Sequence, residues 1–234
     1  MTEHEKTAIH ELKAWKRQVQ RKQPFLGVLS RQLQTRINKA IPEKVHEVIT
    51  ASIKQITRAV FGGAEFTTPK ALQDASLQER EKKVDARIRI YARTAAAEGA
   101  VTGAGGILLG LADFPLWLTV KMKMLFEIAA LYGYNTKDLK ERIYLLYIFE
   151  MTFSNQGRRR EIYAIMKDFE NNSEDIHSFD WRKFQQEYRD YIDIAKLFQL
   201  IPGIGAPVGA VVNLRLTNKL GAMAKNAYRL RIFK

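Results

Sequence analysis

The sequence predicts an all-α fold: a compact multi-helix bundle carrying two Gly/Pro-rich apolar helical hairpins. Three observations predict it. Apolar residues recur at spacings of three and four along most of the 234 residues. No run alternates with period two between hairpin turns. Pro, Gly, Asn, Thr and Asp fall where such periodic runs start or stop, as helix punctuation requires. A chain of this length buries a core without disulfides, and it has no Cys. Disulfide frameworks, Cys-ligated zinc, iron–sulfur clusters and cysteine catalysis are therefore excluded.

Residues 4–22 carry Ala8, Leu12, Trp15 and Val19 on one face, with Lys13, Lys16, Arg17, Arg21 and Lys22 around them, an amphipathic helix. After Pro24 the period continues through Val28, Leu33, Ile37 and Ile41 to Pro42. Pro42 suits a first helical position, and Glu43 and Glu47 complement the positive helix end. That helix stops at Gly62-Gly63. In AEFTTPKALQ, Thr68 is expected to cap a short helix beginning at Pro69. A long helix starts near Ser76, with Val84, Ile88, Tyr91 and Ala95 on its buried face.

The next helix covers Lys121 to Tyr132 and ends at Gly133. Another starts at Asn135–Asp138 and carries Leu139, Ile143 and Leu146 on one face. NQGRRRE reads as a break with a basic patch, 161–171 as helix and NNSEDIHSFD as a loop. Helix resumes through Phe184, Tyr188 and Ile192, followed by an uncharged segment, Leu197 to Leu214, and a final basic helix through Tyr228. No linker divides the chain, so 1–234 is read as one domain, with basic amphipathic helices over 1–75 and the remainder over 76–234.

The net charge of +13 is concentrated at the two ends. Leu12 to Pro42 holds eight basic residues and no acid, and Ile194 onward holds seven and no acid. Glu43 to Asp193 is neutral. If the two ends meet, they form a basic face for anionic lipid, nucleic acid or an acidic protein. Nucleic acid is disfavoured because no recognition motif or stacking platform accompanies the charge. The N-terminus is charged from its third residue and lacks a signal-peptide core, so an uncleaved, cytoplasmically made protein is expected.

Catalytic and cofactor motifs are missing. No Gly-Lys pair exists for a phosphate loop, and Gly103, Gly105 and Gly106 follow a helix, not a strand. His4 and His10 lack the second His of a zincin helix, and no GxSxG elbow occurs. No catalytic, cofactor or metal residue is assigned, and a non-enzymatic protein is favoured.

The glycines have a packing use. Gly99/Gly103, Gly106/Gly110 and Gly205/Gly209 form GxxxG pairs, which let helix backbones approach. The window Gly99–Leu118 has the 20 residues a bilayer requires. Asp113 costs about 2.5–3.5 kcal/mol there, while its eight Leu, Ile, Val and Phe residues return about 2.4–4.8 kcal/mol in all. A stable span is therefore doubtful. Pro202, Pro207 and three glycines interrupt the 197–214 segment as well. Asp113 is expected to cap a helix restarting at Pro115, and Asn213, if buried, requires a partner.

These residues carry a family resemblance. AEGAVTGAGGILLGLADFPLWL, containing Glu98, Gly99, Gly103, Gly105, Gly106, Asp113 and Pro115, is followed by EIAALYGYN, containing Tyr132, Gly133 and Tyr134. LIPGIGAPVGAVVN, containing Pro202, Gly203, Gly205, Gly209 and Asn213, comes later. Together they resemble the two signatures of the EcsC family, from about residue 80 to the end. Asn135 stands where family members often carry Asp. The resemblance implies an association with an ABC transporter tied to protein secretion and regulated proteolysis, and it implies no molecular activity.

The expectation is an accessory protein peripheral to the cytoplasmic face of the cell membrane. Phe114, Leu116 and Trp117 are the expected apolar contacts, with Trp15, Lys16, Arg17, Arg21 and Lys22 beside anionic lipid. Alternatives are a transporter-docking subunit without lipid contact, a two-span membrane protein, and an enzyme on lipid or peptide built on Glu98 and Asp113.

Overall fold

The structure, a computed structural model, describes residues 1–21, 43–61, 70–104, 106–170 and 205–233. These form α1 (Glu3–Gln20), α2 (Glu43–Phe61), α3 (Leu77–Ala104), α4 (Gly106–Leu131), α5 (Leu139–Phe153), α6 (Gln156–Lys167) and α7 (Gly205–Ile232). No strand occurs among the described residues, and the fold is an all-α bundle.

Local chemistry explains several boundaries. Thr2 and Glu5 make a reciprocal capping box at the start of α1. Ser76 and Glu79 do the same for α3: the Glu79 amide donates to Ser76 Oγ at 3.3 Å and the Ser76 amide to Glu79 Oε2 at 2.9 Å. Asn155 Oδ1 accepts from the Gly157 and Arg158 amides at 2.8 and 3.1 Å and starts α6.

The two longest helices, α3 and α7, pair along their length in opposite directions: Gly99 meets Gly209, Ile88 meets Gly221, and Glu81 meets Arg229. α4 runs back along α3, joined by the Tyr91 hydroxyl donating to Glu127 Oε1 at 2.8 Å. α5 is buried almost all round, from Ile143 to Phe153, and forms the centre of the bundle. α1 lies on α7, α6 and α3, and α2 on α4 and α5.

Four expectations are corrected. Residues 70–76 are not helical; the Leu72 amide instead donates to Ala130 O at 2.8 Å, which holds this stretch against α4. The helix does not restart at Asp113-Phe114-Pro115: α4 passes through Pro115 without interruption. Burial of Phe114, Trp117 and Leu118 on both sides of the proline outweighs one lost backbone hydrogen bond. The break expected at NQGRRRE is confined to Ser154 and Asn155, and the basic stretch after it is already the first turn of α6. The apolar segment around Gly209 and the basic C-terminal segment are one helix, α7, with Pro207 in its first turn, where a missing N–H is tolerated.

The run from Pro24 to Pro42, Gly62-Gly63, Thr68 and everything from 171 to 204 lie outside the described residues. No helix among the described residues is long and apolar enough to cross a membrane. The window Gly99–Leu118 is divided between α3 and α4, so the two-span reading has no helix there to rest on.

Candidate functional site

Gly99 on α3 faces α7 so closely that a Cβ at this position would lie 2.4 Å from Gly209 O and 2.7 Å from Asn213 Nδ2. Only hydrogen fits between the two backbones. Asn213, one turn beyond Gly209, is buried. It has the partner that its burial requires, since Trp117 Nε1 of α4 donates to Asn213 Oδ1 at 2.9 Å. Phe114 stacks on Trp117 at 5.6 Å, Phe153 of α5 lies 6.2 Å away, and the Lys121 ammonium sits 3.8 Å over the Trp117 ring. The two family signatures therefore meet at one crossing of three helices.

Phe114 and Trp117 are 0% and 1% exposed, which corrects their expected role as outward contacts. They fill the space between α3, α4 and α7 and leave Leu116 facing out, 54% exposed. Val101 and Val211 are 68% and 44% exposed, each two residues from a glycine of the crossing. Three separate apolar side chains thus surround this end of the bundle, where α3 finishes and α4 and α7 begin. Arg93 on α3 and Arg215 on α7 are exposed as well.

A second cluster forms at the other end of α3 and α7, around Tyr132-Gly133-Tyr134. Gly133 adopts φ +91°, and a Cβ here would lie 2.4 Å from Arg80 Nη1 and 3.0 Å from Leu72 O, so glycine is required both for conformation and for space. The turn positions both tyrosines. Tyr132 donates to Glu81 Oε1 at 3.1 Å and stacks on Tyr228 at 4.8 Å. Tyr134 lies under the Arg231 guanidinium at 3.8 Å.

Arg229 grips Glu81 with two bonds, Nε to Oε1 at 2.6 Å and Nη2 to Oε2 at 2.7 Å, and reaches Glu11 at 2.6 Å. His4 contacts Glu81 Oε2 at 2.9 Å. Arg231 bonds Glu141 at 2.6 Å and also pairs with Glu170. Burial disfavours ionised Glu81, but bonds and charge from Arg229, with Lys225 and His4 adding, hold its carboxyl below the ordinary value. For Glu141 burial wins over Arg231 and Tyr228, and its carboxyl is raised. Burial and the Glu81 charge together push the Tyr132 hydroxyl well up, so it is a fixed donor.

The expected basic terminal face is corrected in part. The ends do meet, through α1 and α7, but Arg229 and Arg231 turn inward, and Lys225 pairs with Asp85 at 2.8 Å. Trp15 is buried against Tyr163 at 5.8 Å and not presented to the outside. Arg17 and Arg21 are exposed, whereas Lys16 is half-buried. Its pKa is lowered by burial and by the nearby Lys167 charge.

Of the remaining signature residues, Glu98 is half-buried on α3; Gly103 and Gly106 belong to the facing ends of α3 and α4; and Gly205 opens α7. Pro115 is half-buried within α4. Lys22, Gly105, Pro202 and Gly203 lie outside the described residues, as does the Asp113 side chain. No group of three or more metal-ligating side chains forms among the described residues.

Spacing and composition passed over Glu81, Glu141, Arg229, Arg231 and Lys121. For Glu81 a signal existed: it stands three residues before Val84 on the stripe continued by Ile88, Tyr91 and Ala95, and a carboxylate on an apolar face implies a buried cation.

These features define an all-α protein organised around a glycine crossing and a buried Glu–Arg–Tyr cluster. The chain belongs to the EcsC protein family, whose model matches residues 6–233, well ahead of residue 80 where the signature resemblance starts. It is 44% identical over 227 residues to Protein EcsC of Bacillus subtilis (strain 168), covering 97% of this chain and 95% of that protein. It is 26% identical over 249 residues to the uncharacterized protein YdbA of Bacillus subtilis (strain 168), covering 95% of this chain and 90% of that protein. No solved structure matches the chain.

Proposed function

We propose that this EcsC-family chain is a non-enzymatic accessory protein peripheral to the cytoplasmic membrane face, working with an ABC transporter of the Ecs type and holding anionic lipid through the glycine-crossing end of the bundle. The observation that carries the reading is the grouping of exposed Val101, Leu116 and Val211 at that end, with Arg93 and Arg215 behind them. At 1.5 Å of rise per residue, Arg93 stands about 12 Å back from Val101 and Arg215 about 6 Å back from Val211. An interfacial segment buries its apolar side about 5–10 Å deep, which leaves Arg215 at headgroup level and Arg93 just outside it. Each well-placed cation contributes about 1 kcal/mol on an anionic surface, so binding is weak, reversible and sensitive to salt.

Vesicle flotation tests this. The full chain floats with vesicles containing phosphatidylglycerol and stays behind with phosphatidylcholine alone, and Leu116→Asp or Arg93→Glu removes the flotation. Equal behaviour with both vesicle types, or unchanged flotation of both variants, would overturn the proposal. No flotation of the full chain with either vesicle type, together with co-purification with the transporter that both variants lose, would assign the same face to protein docking.

A further inference from the structure

Where α3 meets its neighbours, its charges have partners. Glu81 is gripped by Arg229, Asp85 pairs with Lys225 at 2.8 Å, and Arg87 lies 3.5 Å from Glu127. Arg80 donates to Ala75 O at 2.9 Å. The outward face of the helix differs. Lys82, Arg89 and Arg93 are exposed, and they form no ion pair among the described residues. Spacings of seven and four put the three in one row along the helix. Arg89 and Arg93 are like charges one turn apart, an arrangement that opposes the helix unless an acid answers it.

No acid interrupts the row. Between Lys82 and Arg93 the only acid is Asp85, which is turned to Lys225 of α7. Glu79 lies before the row and is taken by the Ser76 amide and hydroxyl at 2.9 and 2.8 Å. Beside the cations stands Ile90, 53% exposed, with half-buried Ala86 one turn before it. An apolar contact point is thus set into a basic ridge.

Two occupants fit this ridge poorly. At 1.5 Å of rise per residue, Arg89 stands about 18 Å and Lys82 about 28 Å back from Val101. Interfacial burial reaches only about 5–10 Å, so lipid at the glycine-crossing end leaves both cations unanswered. No aromatic residue lies in the row, so stacked bases have no platform.

We propose that the row Lys82, Arg89 and Arg93 docks an acidic amphipathic helix of a partner protein. The partner places carboxylates at the same seven-and-four spacing and an apolar side chain on Ile90 and Ala86. Facing charges set partner choice and register, as flanking charges do between paired helices. The apolar contact adds what exposed ion pairs alone supply weakly. The site goes beyond the lipid reading and takes from it only the orientation of α3.

Fluorescence anisotropy of the full chain with a labelled synthetic peptide tests this. The probe is an alanine-rich helix with Glu at seven-and-four spacing and one Leu on the same face. It is expected to bind saturably and more weakly as salt rises. Lys82→Glu/Arg89→Glu is expected to lower its affinity about tenfold or more, and Ile90→Asp to weaken it too. Circular dichroism and flotation with phosphatidylglycerol vesicles are expected to stay unchanged in both. Arg17→Glu/Arg21→Glu, the same change of charge on α1, is expected to leave peptide binding intact. Peptide binding without flotation would support the row and sink the lipid reading alone. Equal binding of a peptide with the same residues and scrambled Glu positions would overturn the proposal. So would unchanged affinity in Lys82→Glu/Arg89→Glu, or an equal loss in Arg17→Glu/Arg21→Glu. Tighter binding of a single-stranded oligonucleotide, lost in Lys82→Glu/Arg89→Glu, would overturn the helix as occupant and assign the row to nucleic acid.

Discussion

Gly99 lies against the Gly209 carbonyl with no room for a methyl group, since a Cβ on Gly99 would come within 2.4 Å of that oxygen. The obstacle is backbone and cannot rotate away. Gly99→Ala therefore separates α3 from α7 and strains the Trp117–Asn213 bond behind them. Overpacking of this kind costs about 1–3 kcal/mol. Urea denaturation of Gly99→Ala is expected to show a loss in the upper part of that range, whereas Ala→Gly at exposed Ala97 costs only the helix-propensity difference, about 1 kcal/mol.

Glu81 and Arg229 form a bidentate pair 148 residues apart in sequence, both buried. Removing one member leaves the other charged and desolvated. Arg229→Met is expected to cost about 3–5 kcal/mol by urea denaturation. The double variant Glu81→Leu/Arg229→Met is expected to be more stable than Arg229→Met alone, because the orphaned carboxylate is gone.

Glu81 and Glu141 give opposite pH signatures. Glu81 is held below the ordinary carboxyl value of 4.5, so its stabilisation is present above that value and disappears as pH falls through its lowered folded pKa. Glu141 is raised above 4.5, so its contribution is present below that value and is lost as pH rises through its raised folded pKa. The stability deficit of Glu81→Gln is therefore expected to grow from acid toward neutral pH, and that of Glu141→Gln to shrink. Denaturation series across that range check both signs.

Trp117 and Asn213 are a matched buried donor and acceptor. Trp117→Phe leaves the Asn213 oxygen unpaired as well as removing ring volume, a loss of about 1–3 kcal/mol for the polar part. Adding Asn213→Leu to Trp117→Phe is expected to return part of that loss, because no orphaned acceptor then remains. Thermal unfolding of the three variants measures this.

Periodicity made the helices legible: Leu12, Trp15 and Val19 on α1 and Val84, Ile88 and Ala95 on α3 are buried as their spacing implies. The small-residue spacing likewise pointed to close backbones at Gly99 and Gly209. What misled was local grammar. Asp-Phe-Pro has the form of a cap and restart, yet packing on both sides of Pro115 carries the helix through. The inward direction of Phe114 and Trp117 was not legible because α4 is apolar on most of its circumference, so no face stood out. The C-terminal arginines read as surface charge because their partners, Glu81 and Glu141, lie 148 and 90 residues away. Charge counts carry no information about such pairing.

The lipid-facing end is the central claim, and depth-dependent quenching by brominated lipid tests it most directly. In anionic vesicles, the emission that a Leu116→Trp variant adds to that of the three native tryptophans is expected to be quenched by bromines just below the headgroups, while the emission of buried Trp117, taken as the difference between the wild type and Trp117→Phe, is not. Quenching of the Trp117 emission with none at position 116, or no quenching of either in vesicles that bind the protein, would contradict it.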